Sequence, residues 1–187
     1  MAGENPSGAG NQQERPGIEQ WIVGFVDGEG CFSLPIHRNP SMRIGWMVQP
    51  RFAVVQGERS AHVLYLIKDY FGCGSVYLNR RRDNHRENLL VYGVFNQHYL
   101  RSKIVPFFEA NPLKTAKADE FRKFAAVLRM MEERFHLTVE GLTEIAKIAQ
   151  TMNHRKPSRF LESPEAIRQP TLLDGKSRRY GPDLMAT

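Results

Sequence analysis

Cysteine is scarce in this 187-residue chain: only Cys31 and Cys73 are present. They form no CxxC pair, which excludes a cysteine-based zinc site and points to a reducing, intracellular compartment. No apolar run approaches the roughly 18 residues that a membrane span needs, so no membrane partner is expected. Residues 1–17 hold Gly, Asn, Gln and Pro without an apolar core, so they are no secretory signal and read as a disordered N-terminal segment or a cloning remnant. Six histidines occur, none in HxH, HNH or HExxH spacing. Acid is missing locally as well: between Cys31 and Gln56 there is no Asp or Glu, whereas His37, Arg38, Arg43 and Arg51 are all there.

What is present is an ordinary globular composition, 41% hydrophobic and 25% charged, long enough for one self-stable domain. Lys and Arg number 26 against 20 Asp and Glu, a formal charge of +6 that suits a polyanionic partner, nucleic acid before membrane. A second basic cluster, Arg80, Arg81, Arg82 and Arg86, lies between two apolar runs, and acids gather only after Glu109.

Periodicity gives the elements. Ile18, Trp21, Ile22, Phe25 and Val26 recur at helical spacing, and Asp27-Gly28-Glu29-Gly30 should stop that helix. Cys31–Arg38 and Arg43–Gln56 alternate around Asn39-Pro40-Ser41, which predicts a hairpin. Ser60 is placed to cap a helix to Phe71 with Val63, Leu64, Ile67, Tyr70 and Phe71 on its buried side. Ser75–Asn79 and Asn88–Phe95 form a second hairpin, joined by the basic stretch Arg80–Glu87. Asn96 opens a helix ending near Pro106-Phe107-Phe108; Thr115–Phe135 and Val139–Met152 are two more. Two hairpins alternating with helices predict an α+β fold, a four-stranded antiparallel sheet with helices on one face and the other face open. The last stretch, 153–187, reads as a basic, largely irregular tail.

The segment from Trp21 to Gly30 carries the strongest signal. An EF-hand from Asp27 would need Gly and Glu where Phe32 and Arg38 stand, and a dinucleotide fingerprint from Gly28 would need Gly where Ser33 stands. A core helix with an acidic end is the simple alternative. Against it, carboxylates at a helix C-terminus face the unfavourable end of the dipole. Gly24 and Gly28 also cost about 1 kcal/mol each relative to Ala, a cost that makes sense where two helices must approach closely.

"WIVGFVDGEGCF" resembles the LAGLIDADG motif of homing endonucleases, with Ile22–Gly30 in its nine positions. "RFAVVQ" (Arg51–Gln56), "LIKDYFGCGSV" (Leu66–Val76) and "KIVPFFEANPLKTAKADEF" (Lys103–Phe121) are similar to later segments of the family in order and spacing. The likeness covers residues 18–152, which it marks as the endonuclease domain. It implies an αββαββα core whose saddle-shaped sheet lies in the DNA major groove. With the motif present once, it implies a homodimer joined through Trp21, Gly24, Phe25 and Gly28 of the motif helix. It further implies a hydrolase that cuts both strands of a long pseudo-palindromic target across the minor groove, leaving short 3′ overhangs.

The same resemblance assigns roles to residues. Glu29 is the expected metal ligand, with the Gly28 carbonyl beside it. Mg²⁺ or Mn²⁺ is the expected cofactor, and Ca²⁺ is expected to support binding with little cleavage. Asp27 is expected to be structural. Gln56 would position water, and Lys114, with Lys117 as the second basic residue nearby, would stabilise charge at the phosphate. Catalysis is thus expected of Glu29, Gln56 and Lys114. Alternation directs Gln49, Arg51, Ala53 and Val55 to DNA from the second strand, Ser33, Pro35 and His37 from the first, and Ser75, Tyr77 and Asn79 from the third. Arg51 and Gln49 have the chemistry to read base edges, while Arg38, Arg80, Arg81, Arg82 and Arg86 would contribute basic contacts to the DNA.

Two other functions share this fold and remain open at this point: an intron-encoded maturase with intron RNA as partner, and a DNA-binding protein that no longer cuts. The compartment would be cytoplasm or nucleoid in a bacterium or archaeon, and the organelle matrix if the coding sequence is organellar.

Overall fold

The apolar stripe predicted for the first helix is buried only in part: in α1, Ile18–Glu29, Ile22 and Val26 enter the core together with Val23, while Ile18 and Trp21 are exposed and Phe25 is half-buried. The structure, a computed structural model, describes residues 17–79, 88–153 and 157–167. Residues 1–16, the basic connection with Arg80, Arg81, Arg82 and Arg86, and residues 168–187 lie outside it. α1 ends within Asp27-Gly28-Glu29-Gly30, as expected, with Gly30 at its cap. Gly30 is already extended (φ −77°, ψ 159°), and the chain passes directly into a strand. A Cβ on Gly30 would lie 2.8 Å from the Val26 carbonyl oxygen, so only glycine lets the strand start this close to the helix.

The first hairpin keeps a single register along its length, with Ser33 opposite Arg51 and Ile36 opposite Val48. It is nevertheless broken into two ladders. Pro35 and Pro50 lie in the gap between them, and proline has no N–H to give to a ladder. Only the Gln49 N–H, donating to the Pro35 carbonyl at 2.9 Å, bridges the interruption. The two expected strands are therefore four: β1 (Gly30–Ser33), β2 (Ile36–Arg38), β3 (Trp46–Val48) and β4 (Arg51–Gly57). The second hairpin is β5 (Ser75–Asn79) with β6 (Leu89–Val94). The main sheet has the antiparallel order β1-β4-β6-β5, and β2 and β3 form a separate ribbon at its end.

Helices close one face. A 3₁₀ turn, Glu58–Ser60, leads into α2 (His62–Phe71), so Ser60 is no cap: Ala61 precedes the helix in helical conformation. Leu64, Ile67 and Phe71 are buried, but Tyr70 is not; its hydroxyl reaches the surface and donates to Glu19 Oε1 at 3.1 Å. Asn96 caps the next helical run, its Oδ1 accepting from the His98 N–H at 2.8 Å. That run comprises α3 (Gln97–Tyr99), a π turn (Leu100–Ile104) and α4 (Val105–Ala110). Pro106 accounts for the π turn, because its ring removes one donor from the regular ladder just beyond it. α5 (Lys117–Glu132) and α6 (Val139–Ala149) complete the layer, both shorter than their apolar patterns suggest.

Phe32 on β1 centres the core. Its ring stacks on Phe52 at 5.1 Å and meets Phe108, Phe121 and Phe124 from α4 and α5 at 5.3–5.4 Å. The core also runs past residue 152, where the sequence pattern placed the domain end. Phe160 is fully buried with its ring 5.5 Å from Trp46, and α7 (Pro164–Ile167) follows. Asn153 Nδ2 donates to the Phe32 carbonyl at 3.0 Å, which ties this segment to β1, an edge strand of the sheet.

Candidate catalytic centre and nucleic-acid interface

The end of α1 is anchored by its own acid. Asp27 points across to the loop before α5, where its Oδ2 accepts from the Lys114 N–H at 2.7 Å and its Oδ1 from the Thr115 hydroxyl at 2.8 Å and the Thr115 N–H at 3.3 Å. Burial pushes the Asp27 carboxyl up, but these donors and the nearby Lys117 charge together hold it below the ordinary carboxylate value. The Thr115 oxygen in turn accepts from the Lys117 N–H at 3.2 Å, which starts α5. Asp27 therefore serves as a brace, with both of its carboxylate oxygens accepting from protein donors.

Glu29 is the contrasting acid. It is exposed, it is the last residue of α1, and no basic residue stands in that last turn. The two carbonyls beside it already attract a cation: Lys117 Nζ donates to the Gly30 oxygen and lies 3.4 Å from the Gly28 oxygen. Lys117 is thus the lysine that the fold delivers to the motif's backbone, while the side chain of Lys114 is exposed and contributes to the brace only through its N–H. The resemblance put Lys114 first; the turn into α5 is what brings the Lys117 side chain to these carbonyls.

Among the described residues no three or more His, Cys, Asp and Glu side chains gather where they could hold a metal ion. One chain offers the Glu29 carboxylate and the Gly28 carbonyl. These are hard oxygen donors that fit a divalent cation completing its shell elsewhere, as Mg²⁺ does on phosphate oxygens. Gln56 is half-buried near the end of β4, two residues beyond Val54, the partner of Gly30. It shares the parity of Phe52 and Val54, and so belongs to the helix-side row and not to the open face.

The open face is read from the opposite parity. Ser33, Arg51, Ala53, Val55, Ser75, Tyr77 and Asn79 all fall on it, as alternation predicts. Arg51 is exposed, and its Nε donates to Ser33 Oγ at 2.9 Å, which fixes the guanidinium and leaves the paired terminal nitrogens for a base edge. Ala53 is only 7% exposed and offers little to a ligand. Gln49 is exposed beside Pro35 at the proline break, and His37 continues the row half-buried on β2. Arg38 is a correction. Its guanidinium lies 4.7 Å over the Trp46 ring and 3.4 Å from Glu165, on the side of the ribbon that meets the C-terminal segment, so its parity takes it away from the open face. The expected contacts of Arg80, Arg81, Arg82 and Arg86 lie outside the described residues.

A second exposed feature runs along α1. Trp21 and Phe25 stack at 5.1 Å and 14°, and Gly24 and Gly28 face open space, with nothing within 4 Å of where a Cβ would stand. A cavity of about 330 Å³ beside them is lined by residues including Gln20, Gly24, Asp27 and Asn111.

The sequence comparisons agree with this geometry. The family model described as LAGLIDADG endonuclease matches residues 22–128. Probable intron-encoded endonuclease 3 of Neurospora crassa is 34% identical over 138 residues, covering 73% of this chain. This chain spans only about a quarter of that relative, 25% of its length. Among solved structures, the homing endonuclease I-TnaI superposes with a TM-score of 0.72 at 42% identity, covering 80% of this chain and 97% of that one. I-SmaMI bound to uncleaved DNA target in the presence of calcium ions gives a TM-score of 0.69 at 28% identity, covering 77% of this chain and 47% of that one.

Proposed function

This chain belongs to the LAGLIDADG endonuclease family, and from that premise we propose that it is a homodimeric, metal-dependent homing endonuclease that cuts both strands of a long pseudo-palindromic DNA site and leaves short 3′ overhangs. The observation that carries the proposal is the placement of Glu29: an acid without a cationic partner in its own turn, where α1 passes directly into β1 of the acid-poor hairpin.

Two copies joined along Gly24 and Gly28 would bring two Glu29 carboxylates together at the dimer axis, each beside its own Gly28 carbonyl. Among the described residues one copy offers no cluster of three such ligands, which supports a site completed by the second copy and by DNA phosphates. A divalent ion held there, Mg²⁺ or Mn²⁺, would supply an activated water and neutralise phosphate charge. The chain's own groups do the rest. Glu29 and the Gly28 carbonyl hold and orient the site, and Gln56 at the end of β4 orients water. Lys117, whose Nζ reaches the Gly28 and Gly30 carbonyls, and Lys114, three residues before it, would supply positive charge for the scissile phosphate. The brace from Asp27 fixes the turn that runs from Lys114 to the start of α5 at Lys117.

Arg51 and Gln49 read base edges from the major groove, and Ser33 holds Arg51 in place. Both cysteines are free thiols, which suits a reducing intracellular compartment. The test is a randomised duplex library incubated with the purified chain in Mg²⁺ and separately in Ca²⁺. Sequence-specific double-strand cuts in Mg²⁺, with binding but little cutting in Ca²⁺, are expected. Specific binding with no cutting in Mg²⁺ or Mn²⁺ would make it a non-cleaving DNA-binding protein instead.

A further inference from the structure

On the open face of the β5–β6 hairpin lie two large aromatic side chains that the fold does not cover. Tyr77 has the parity of that face on β5, and Phe95 continues the same parity just beyond β6. Their ring centroids are 6.2 Å apart at 37°, and the two residues are 39% and 38% exposed. Both rings lie over Gly93. A Cβ there would sit 2.8 Å from Phe95 Cε2 and 3.1 Å from Tyr77 Cε1, closer than a side chain can go. Gly93 thus lets two rings lie against the backbone as a low apolar plate.

The surroundings of the plate restrict its occupant. Ser75 is the cross-strand partner of Gly93 and is exposed, and Arg51 presents its guanidinium on the same face. A plate on the open face of a chain of charge +6 suits a polyanion that carries an apolar group. In the major groove the base pairs offer one such group, the C5-methyl of thymine. We propose that the Tyr77–Phe95 pair over Gly93 is a specificity subsite that reads a thymine methyl, once in each half of the target. This rests on the endonuclease reading above and adds to it which base the hairpin selects and by which atoms.

The test uses the full-length protein and a duplex chosen by its own cleavage from a randomised library. That duplex is remade with deoxyuridine replacing thymidine at one position at a time, and with 5-methylcytosine replacing cytosine. Removing the methyl at one thymine per half-site should weaken binding about three- to five-fold, from the apolar contact of a single methyl. Uracil at positions elsewhere should have no effect. Phe95→Ala and Tyr77→Ala should bind the thymine and uracil duplexes equally. This ratio is measured within one preparation and so does not depend on the folded fraction, and Phe95→Leu should retain part of the discrimination. Equal binding to all uracil duplexes by a wild-type protein that still cuts its site would overturn this subsite and leave the nuclease reading standing. A methyl effect that persists undiminished in both alanine variants would overturn it by locating the reader elsewhere, and tighter binding to the single strand than to the duplex would overturn it in favour of base stacking. Failure to select any bound or cut duplex would overturn the nuclease reading, and this inference with it.

Discussion

Replacing Asp27 with alanine removes the brace between the motif helix and the turn from Lys114 into α5. Three hydrogen bonds are lost, at 2.7, 2.8 and 3.3 Å, and two of their donors are backbone N–H groups. Hydrogen bonds to a charged acceptor contribute about 1.5–3 kcal/mol each in favourable geometry. Here one is long and the carboxylate is half-exposed, so water replaces part of what is lost and a net destabilisation of about 2 kcal/mol is expected. For a chain of this size that lowers Tm by about 4–8 °C. The pH dependence supplies a second check. The native carboxyl is held below its ordinary value, so its stabilisation is complete above that value and is lost as pH falls through the native pKa. The gap between wild type and Asp27→Ala in urea unfolding should be constant from neutral pH down to the ordinary carboxylate range and close below it. Asp27→Asn should fall between the two, because one carboxylate oxygen becomes an amide that cannot accept. Equal stabilities at neutral pH, or a gap that survives undiminished in strong acid, would refute the role of the brace.

For the proposed homodimer, Gly24→Leu should yield a monomer in sedimentation by placing a side chain in the open space along α1, and double-strand cutting should be lost with it; a variant that stays dimeric would place the subunit contact elsewhere, and a monomeric wild type would contradict the dimer. Phe160→Ala should cost about 3–5 kcal/mol in chemical unfolding, because its ring is fully buried against Trp46. A neutral result would show that the segment after Met152 does not belong to the core.

The parts of this fold set by short-range pattern were legible in the sequence. The apolar stripe of α1, the limits of β5 and the Asn96 cap each depend on residues within a few positions of one another. The common face of Arg51, Ser33 and Tyr77 followed from alternation, counted from Gln56 as the family resemblance implies. What could not be read depended on distant partners. The proline break was visible as Pro35 and Pro50, but its importance required knowing that they fall in the same interruption of one register. Arg38 looked like one more base on a basic hairpin until Trp46 and Glu165 were found on its side of the ribbon. Phe160 is one aromatic in a polar stretch, too little to signal a core position. The inward turn of Lys117 depends on Thr115, whose hydroxyl links the start of α5 to Asp27. Phe95 carried a signal that parity could have given: it follows Gly93 by two residues and so shares its face.

The central claim is that Glu29 is the acid on which cutting depends, whereas DNA binding rests on the sheet. Glu29→Gln keeps the size and hydrogen-bonding capacity of an exposed side chain, so the fold should be undisturbed. In the dimer it removes two negative charges from the axis. The decisive measurement pairs gel shift with cleavage for wild type and Glu29→Gln on one selected duplex in Mg²⁺. Cleavage should fall by several orders of magnitude while binding is retained or tightened, because less negative charge faces the phosphates. A variant that cuts at the wild-type rate would contradict the account and place the catalytic carboxylate elsewhere.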